Sequence, residues 1–268
     1  MMESVNKSGG CVEMQRYFVP SAQWGEQVVA LEGDDARHLA AVMRAKPGDC
    51  FIACDGKGLD VRAKIVTVDK ESVKADIIER LPSAAEMTWR VTVAQSLPKG
   101  DKLEIVIQKG TEAGAAVFQP FLSHRTIVQY DERKEAKRLE RWRRIAKEAA
   151  EQSHRSVIPE VNAVHSWKAL LKQFGEYELV LFCYEEEGRS GNGLRALLSA
   201  YREQSVSLSP RILIVIGPEG GFTSQEAEAA VASGARLIGL GRRILRTETA
   251  ALYALACLAY ESGELGGI

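Results

Sequence analysis

A chain of 268 residues with 46% hydrophobic content is long enough for one large or two modest domains and apolar enough for an ordinary core, which excludes a disordered polymer. The formal net charge of −1 excludes a uniformly basic nucleic-acid binder, although a local basic patch fits within a balanced total. Five scattered cysteines (Cys11, Cys50, Cys54, Cys183, Cys257) make no C-x-x-C pair and have no matching histidines, which points to a reducing cytoplasm and to no bound metal.

Residues 1–13, "MMESVNKSGGCVE", carry no apolar signal-peptide segment and read as a flexible leader. From Met14, "RYFVP" is a short β-prone stretch, and "DDARHLAAVMRAK" predicts a brief amphipathic helix closed by the Pro47-Gly48-Asp49 turn. "CFIACDG", "LDVRAKIVTVD" and "SVKADIIERL" then alternate as half-buried strands do, between turn signals at Gly56, Gly58 and Asp69-Lys70-Glu71. Short strands around one helix predict a small β-barrel-like domain over residues 14–82, and "PSAAEMT" marks its boundary.

Over residues 83–268 strand and helix alternate. "WRVTVAQSL", "VFQPFLS", "RTIVQ", "YELVLFCYEE", "RILIVIG" and "RLIGLG" read as strands; "GDKLEIVIQKGTEAG", residues 131–155, "GNGLRALLSAYREQ", "TSQEAEAAVASG" and residues 247–262 read as helices. The strands are β-branched and do not alternate, which predicts an α/β domain with a parallel sheet covered on both faces. Residues 132–155 hold nine Lys/Arg against five Glu, a basic concentration that suits an anionic partner, while Trp142, Ile145, Ala149 and Gln152 recur at helical spacing and predict the packed side. "AALYALACLAY" is far short of the about 20 apolar residues a membrane span needs.

Two stretches concentrate the chemistry. In "RILIVIGPEGGFTSQE" a buried strand ends in Gly217-Pro218-Glu219-Gly220-Gly221, and Thr223 to Glu226 has the spacing of a capping box. Glycines after a strand let backbone amides approach a ligand, and open α/β sheets bind ligands at strand carboxyl ends. Neither G-x-G-x-x-G nor G-x-x-x-x-G-K-[ST] occurs, so the usual dinucleotide and triphosphate signatures are absent. "LIGLGRRILRTETA" is a second strand, glycine-bearing loop and helix start, which brings Arg242, Arg243 and Arg246 to the mouth of the most apolar helix.

"IGPEGGFTSQE" followed by "LGRRILRTETAAL" resembles the two C-terminal motifs of the SPOUT superfamily of S-adenosylmethionine-dependent methyltransferases, and within it the family that methylates N3 of a uridine in small-subunit (16S) ribosomal RNA. "RYFVP", "QSLPKGDKLEIVIQKGTEAG" and "AKEAAEQSHR" are similar to that family too, so the likeness runs from Met14 to the end. It implies a PUA-like β-barrel RNA-binding domain over 14–82, then a SPOUT methyltransferase domain over 83–268 whose last segment threads a trefoil knot. General rules of chain threading would not predict such a knot. A homodimer acting on 16S ribosomal RNA or the small ribosomal subunit is implied as well.

The resemblance assigns S-adenosylmethionine to backbone groups of Tyr184 and Glu185, of Ile216, Gly217, Pro218, Glu219, Gly220 and Gly221, and of Leu240, Gly241, Arg243, Ile244 and Leu245, with Thr249 and Ala250 beside them. Arg16, Lys99, Lys109, Gln152, Arg155 and Arg242 are the candidate RNA contacts. Uridine N3 carries a proton, so methyl transfer requires a base or donors that stabilise the anion spreading onto O2 and O4. Arg16, Arg155 and Arg246 are the candidate donors. Glu112, Glu148, Glu151 and Glu219 are the candidate bases, and the sequence does not choose among them. His154 is a residue type suited to proton transfer, but the resemblance implies a small residue there. Two other functions fit the pattern less well: a non-catalytic RNA-binding or ribosome assembly factor, and a knotted methyltransferase acting on another RNA atom such as a ribose 2′-hydroxyl.

Overall fold

The structure is a computed structural model that describes residues 14–82, 85–127, 135–187 and 194–266; the expected leader lies outside them. The chain forms two compact units. The first runs up to Ala85 and also takes in His154–Val157, and the second holds Glu86–Ser153 and Ile158–Ile268.

In the first unit, β1 (Arg16–Phe18), β2 (Val28–Glu32), β3 (Cys50–Cys54), β4 (Asp60–Val68) and β5 (Ser72–Leu81) form one sheet in the order β1-β3-β4-β5-β2. β1 lies parallel to β3, and the other pairings are antiparallel. Alternation in the sequence becomes burial: Val61, Ala63 and Ile65 of β4 point inward with Phe51, Val73 and Ala75, while Lys64 and Val66 between them face out. Register shifts at Arg62/Ala63 and Ile65/Thr67 mark bulges, which bend and twist such strands. The predicted helix is shorter than expected. α1 (Gly33–Arg37) gives way to a wide π turn over His38–Val42, and the chain leaves through Arg44 in the left-handed region at φ 53.

The 154–157 segment is joined to these strands by a buried polar cluster. Arg16 Nη1 donates to Asp60 Oδ2 at 2.6 Å, to the Arg155 carbonyl at 3.2 Å and to Cys54 Sγ at 3.0 Å. Ser156 Oγ donates to the same Asp60 oxygen at 2.5 Å, and the Gly58 amide donates to the Ser156 carbonyl. The Arg16 and Asp60 side chains are 8% and 2% exposed. Burial pushes the Cys54 thiol far up, so it stays protonated. His154 turns the chain at φ 61, a conformation that a residue without Cβ takes without strain.

The second unit is a seven-stranded sheet ordered β12-β10-β11-β6-β7-β8, with β9 also on β7, and its pairings are all parallel among the described residues. The strands are β6 (Arg90–Ser96), β7 (Val117–Leu122), β8 (Glu160–Val161), β9 (His165–Ser166), β10 (Leu179–Cys183), β11 (Arg211–Ile216) and β12 (Arg236–Ile238). The helices are α2 (Lys102–Glu112), α3 (Glu135–Gln152), α4 (Trp167–Lys172), α5 (Leu194–Gln204), α6 (Ser224–Ala232) and α7 (Thr247–Glu261). Val91, Val93, Ile212 and Ile214 pack beneath α2, α3, α5 and α7. Ala94, Leu213, Val215 and Phe182 pack on the other face with α4 and α6. Burial on both faces explains why these strands show continuous apolar runs.

Three expectations need correction. "RTIVQ" is not a strand where it is described: His124 and Arg125 form a turn closed by the Thr126 amide on the Ser123 carbonyl, and the Thr126 hydroxyl is engaged by Ser96 and Ser123. "YELVLFCYEE" is a strand only over Leu179–Cys183. On α3 Trp142 and Ala149 are buried with Ala146 and Ala150, and Ile145 packs partly buried against the same core, whereas Gln152 is exposed.

Asp60 neutralises a buried guanidinium, so Asp60→Ala should destabilise the first unit by about 3–5 kcal/mol, because it leaves Arg16 buried without a counter-ion. A urea titration that finds the variant as stable as the parent would contradict the burial of this pair.

Candidate functional site

The strands of the second unit run parallel, so their carboxyl ends share one edge; Ile216 of β11 lies level with Gln95 of β6, and Gln95 with Pro120 of β7. From Ile216 the chain turns through Gly217 to Gly221. The Gly221 amide closes a turn on the Pro218 carbonyl at 2.9 Å, and Gly221 has φ 65, where a side chain would be strained. Phe222 anchors the exit, its ring 4.2 Å from that of Phe182 and stacked on Phe121 at 6.4 Å. A Cβ on Gly217 would lie 3.1 Å from the Phe222 ring, so glycine lets the loop fold back on its own anchor. α6 then starts with a complete capping box: Thr223 Oγ accepts from the Glu226 amide, and Glu226 accepts from the Thr223 amide.

The second loop follows β12, which pairs with β10 and is continued by the Tyr184 amide on the Ile238 carbonyl at 2.9 Å. Gly241 turns it at φ 95, and Arg242, Arg243, Ile244 and Arg246 face outward, with Ile244 79% exposed. Thr247 then begins α7 and turns inward. Its hydroxyl donates to the Gly217 carbonyl at 2.7 Å and accepts from Gln95 Nε2 at 2.8 Å. Gln95 Nε2 also donates to the Ser96 carbonyl at 3.0 Å. The buried side chains of Gln95 and Thr247 therefore tie both glycine loops to the end of β6. Gln95 Oε1 is buried with no donor among the described residues.

Charge surrounds this neutral network. Glu219 Oε1 accepts from the Lys99 amide at 3.1 Å and from Lys102 Nζ at 2.8 Å, and Lys102 also stands 3.7 Å from Glu248. Burial pushes the Glu219 carboxyl up, but the hydrogen bonds from Lys102, its own amide and the Lys99 amide, with the Lys102 charge, outweigh that and hold it below the ordinary carboxylate range. Lys102 is held above the ordinary lysine value, first by its hydrogen bond to Glu219 against desolvation, with the nearby charge of Glu248 adding and that of Arg246 opposing. Glu219 thus contributes from above its unfolded value and is lost as pH falls through its folded one. Lys102 contributes from below its unfolded value and is lost as pH rises through its folded one. The tether holds across roughly pH 5–10.

Among the sequence candidates, Ile216 to Gly221, Tyr184, Leu240 to Leu245, Thr249 and Ala250 flank or line these two loops, and Lys99 meets Glu219 by its backbone. Glu185 follows Tyr184 on the same side of β10. Others are placed elsewhere. Glu112 sits ten residues along α2 from Lys102, about 15 Å at the helical rise, and is paired at 2.8 Å with Lys109 of the same turn. Glu148 and Glu151 pair with Arg144 and Lys147 on α3. Arg16 and Arg155 belong to the first unit, Arg16 in the ion pair with Asp60. Glu248, in the first turn of α7, stands 3.7 Å from Lys102. Gln95, Lys102 and Thr247 were not among the expected site residues. The one available signal was a glutamine inside the otherwise buried strand "RVTVAQS".

Residues 85–259 match the family described as RNA methyltransferase domain, and residues 31–78 match the RNA methyltransferase PUA domain. The chain belongs to the RNA methyltransferase family. It is 40% identical over 259 residues to ribosomal RNA small subunit methyltransferase E of Bacillus subtilis (strain 168), covering 95% of this chain and 99% of the relative. With the protein of the same name from Synechocystis it shares 36% over 250 residues, 93% of this chain and 78% of that one. The crystal structure of ribosomal RNA small subunit methyltransferase E from Neisseria gonorrhoeae bound to S-adenosyl methionine is 31% identical, with a TM-score of 0.79 over 92% of this chain and 98% of that one. The two units of this RNA methyltransferase are accordingly a PUA-like β domain and a SPOUT-class parallel-sheet domain. No described helix is long and apolar enough to cross a membrane, and the described residues contain no cluster of three or more metal-ligating side chains.

Two predictions follow from this geometry. Thr247→Val should cost about 1–3 kcal/mol, because it strands a buried amide and carbonyl, whereas Thr247→Ser should recover most of the loss. Equal urea midpoints for the parent and the valine variant would show that the network is not sealed from water. The Glu219 carboxyl, followed by NMR, should titrate below its unfolded value of about 4.3, and Lys102→Met should raise its midpoint; a midpoint indifferent to Lys102 would rule out the tether.

Proposed function

We propose that this chain methylates N3 of a uridine in 16S ribosomal RNA, with S-adenosylmethionine as methyl donor. The observation that carries the proposal is the Thr247 hydroxyl bridging Gln95 and the Gly217 carbonyl, which ties the ends of the two glycine loops together at the carboxyl edge of the sheet. The residues suit the donor. Its adenosyl part is an uncharged purine nucleoside, which main-chain amides and carbonyls of Ile216 to Gly221 and Leu240 to Leu245 can bind without side chains of fixed identity. Gln95 Oε1 is a buried acceptor still lacking a donor, and a side chain at Gly217 would intrude on Phe222.

When bound, S-adenosylmethionine supplies an activated methyl group on a sulfonium sulfur. The chain's own part is positioning and charge. The Lys102–Glu219 tether fixes the Gly217 loop, and Arg242, Arg243 and Arg246 lie exposed on the other, where arginine donors can bind phosphate or a uracil carbonyl that gains charge as N3 loses its proton. Glu219 is a poor candidate for taking that proton, since the lysines that hold it ionised also weaken it as a base. Glu112 is directed to the far end of α2. The proposal extends to the trefoil-knotted path of the last segment, to a homodimer, to a cytoplasmic location and to the domain limits 14–82 and 83–268.

Purified chain, labelled donor and small ribosomal subunits from cells lacking this gene should yield N3-methyluridine at one site in 16S RNA, located by mass mapping. A methyl group on a ribose 2′-oxygen would replace the N3 assignment, and a folded chain that gives no calorimetric heat with S-adenosylmethionine would defeat the enzymatic reading. Gly217→Val should abolish donor binding while the first unit stays folded.

A further inference from the structure

We infer that a basic groove between α3 and the 158–162 segment binds the phosphodiester backbone of RNA, so that the substrate is held as an extended chain and not only by its target nucleotide; this rests on the RNA methyltransferase reading above. The groove encloses about 920 Å³. One wall is the outward side of α3, whose opposite side packs through Trp142, Ala146, Ala149 and Ala150. Lys137, Arg141, Arg143, Arg144 and Lys147 line it, against two carboxylates, Glu140 and Glu160. Three net positive charges therefore face one groove in a chain whose total is −1.

These cations are not equally committed. Arg141 is neutralised by Glu104 of α2 at 2.7 Å, and Lys147 by Glu151 at 3.0 Å. Arg144 meets Glu148 at 3.5 Å with both side chains more than 60% exposed, a pair that costs little to open. Arg143 Nε donates at 3.2 Å to the Val161 carbonyl on the other wall, which orients its guanidinium without neutralising it. Among the described residues neither Arg143 nor Lys137 enters an ion pair. Lys137, Arg143 and Arg144 are thus available to an anion that supplies its own charges.

Length and chemistry select the anion. Lys137 to Lys147 spans ten residues, about 15 Å of helix, room for roughly four consecutive phosphates at the axial spacing of one nucleic-acid strand. The two available arginines offer planar forks that match phosphate oxygens two at a time, which favours a nucleic-acid backbone over an acidic peptide. In the sheet, β8 stands three places from β11, about 14 Å at the usual strand spacing. An RNA that reached from the Gly217 loop to this groove would cross several nucleotides, a distance a single bound uridine does not cover.

The test uses the full chain, a fluorescein-labelled 30-nucleotide RNA carrying the methylated site, and a polyglutamate peptide of equal charge, titrated over a range of KCl concentrations. The triple variant Lys137→Ala, Arg143→Ala, Arg144→Ala should bind the RNA at least about tenfold more weakly near physiological salt, with a log–log salt slope shallower by about 2, from roughly 0.7 per single-strand phosphate contact. Its calorimetric affinity for S-adenosylmethionine should not change, and Arg143→Lys with Arg144→Lys should keep the parental slope, which guards against misfolding. An unchanged slope in a triple variant that still methylates RNA overturns the groove and leaves the enzyme standing. Loss of polyglutamate binding without loss of RNA binding assigns the groove to an acidic protein and also overturns it. Failure of the parent chain to bind donor or transfer methyl strikes the underlying function instead.

Discussion

One hydroxyl organises the carboxyl edge of the second unit. Thr247 Oγ takes a proton from Gln95 and gives its own to the Gly217 carbonyl, at 2.8 and 2.7 Å, with both side chains removed from water. Those atoms belong to the end of β6, the end of β11 and the start of α7, so neither the Gly217 loop nor the start of α7 can leave the end of β6 without breaking a buried hydrogen bond. Buried polar groups are either fully partnered or expensive, and Gln95 Oε1 is a buried acceptor without a donor among the described residues. The buried run Val91 to Ala94 is followed by a glutamine because the network around it needs a donor that reaches the Ser96 carbonyl, the Gly217 carbonyl and the Thr247 hydroxyl. The same constraint fixes Gly217: its carbonyl must face Thr247 while its α-carbon passes close to Phe222.

Outside this neutral centre, charge is sorted by job. Lys102 links Glu219 on one loop to Glu248 at the start of α7, a second tether across the same gap made of charges instead of dipoles. Because Glu219 is depressed and Lys102 raised, the tether survives any pH at which RNA chemistry would be run. It also consumes the carboxylates nearest the loops, leaving Arg242, Arg243 and Arg246 as a basic rim. Glu248 stands within the first turn of α7, where a negative charge is favoured by the helix dipole.

Much of this was legible in the sequence. Uninterrupted apolar runs announced a parallel sheet with both faces covered, alternating runs announced the first unit's strands, and Thr223 with Glu226 announced the capping box. Glycine clusters after two strands marked the loops, since only backbone constraints explain glycine there. What escaped was set by tertiary partners. "RTIVQ" has strand composition, yet Thr126 is drawn into a hydroxyl cluster with Ser96 and Ser123. The wide π turn after α1 replaces helix that the pattern called for. β8, β9 and α4 are too short to leave a periodic trace. Glu112 was a candidate base, but α2 places it ten residues along the helix from Lys102, about 15 Å at the helical rise.

Arginine shows most clearly why residue type does not decide role in this chain. Arg16 has 8% of its side chain exposed, and its guanidinium is matched by Asp60, the Arg155 carbonyl and Cys54; it holds a segment that follows α3 against strands more than a hundred residues earlier in the chain. Arg141 is bound to Glu104 and joins two helices. Arg143 and Arg144 lie two and three residues further along the same helix, and one finds only a carbonyl while the other finds an exposed glutamate. Desolvation makes the first pair structural: removing either member leaves a charge that water cannot reach. Solvent makes the last two interchangeable with any anion that arrives carrying more charge than Glu148 offers. Burial and the nearest acceptor, neither visible in the letter R, separate an arginine that holds the fold from one that can hold a substrate.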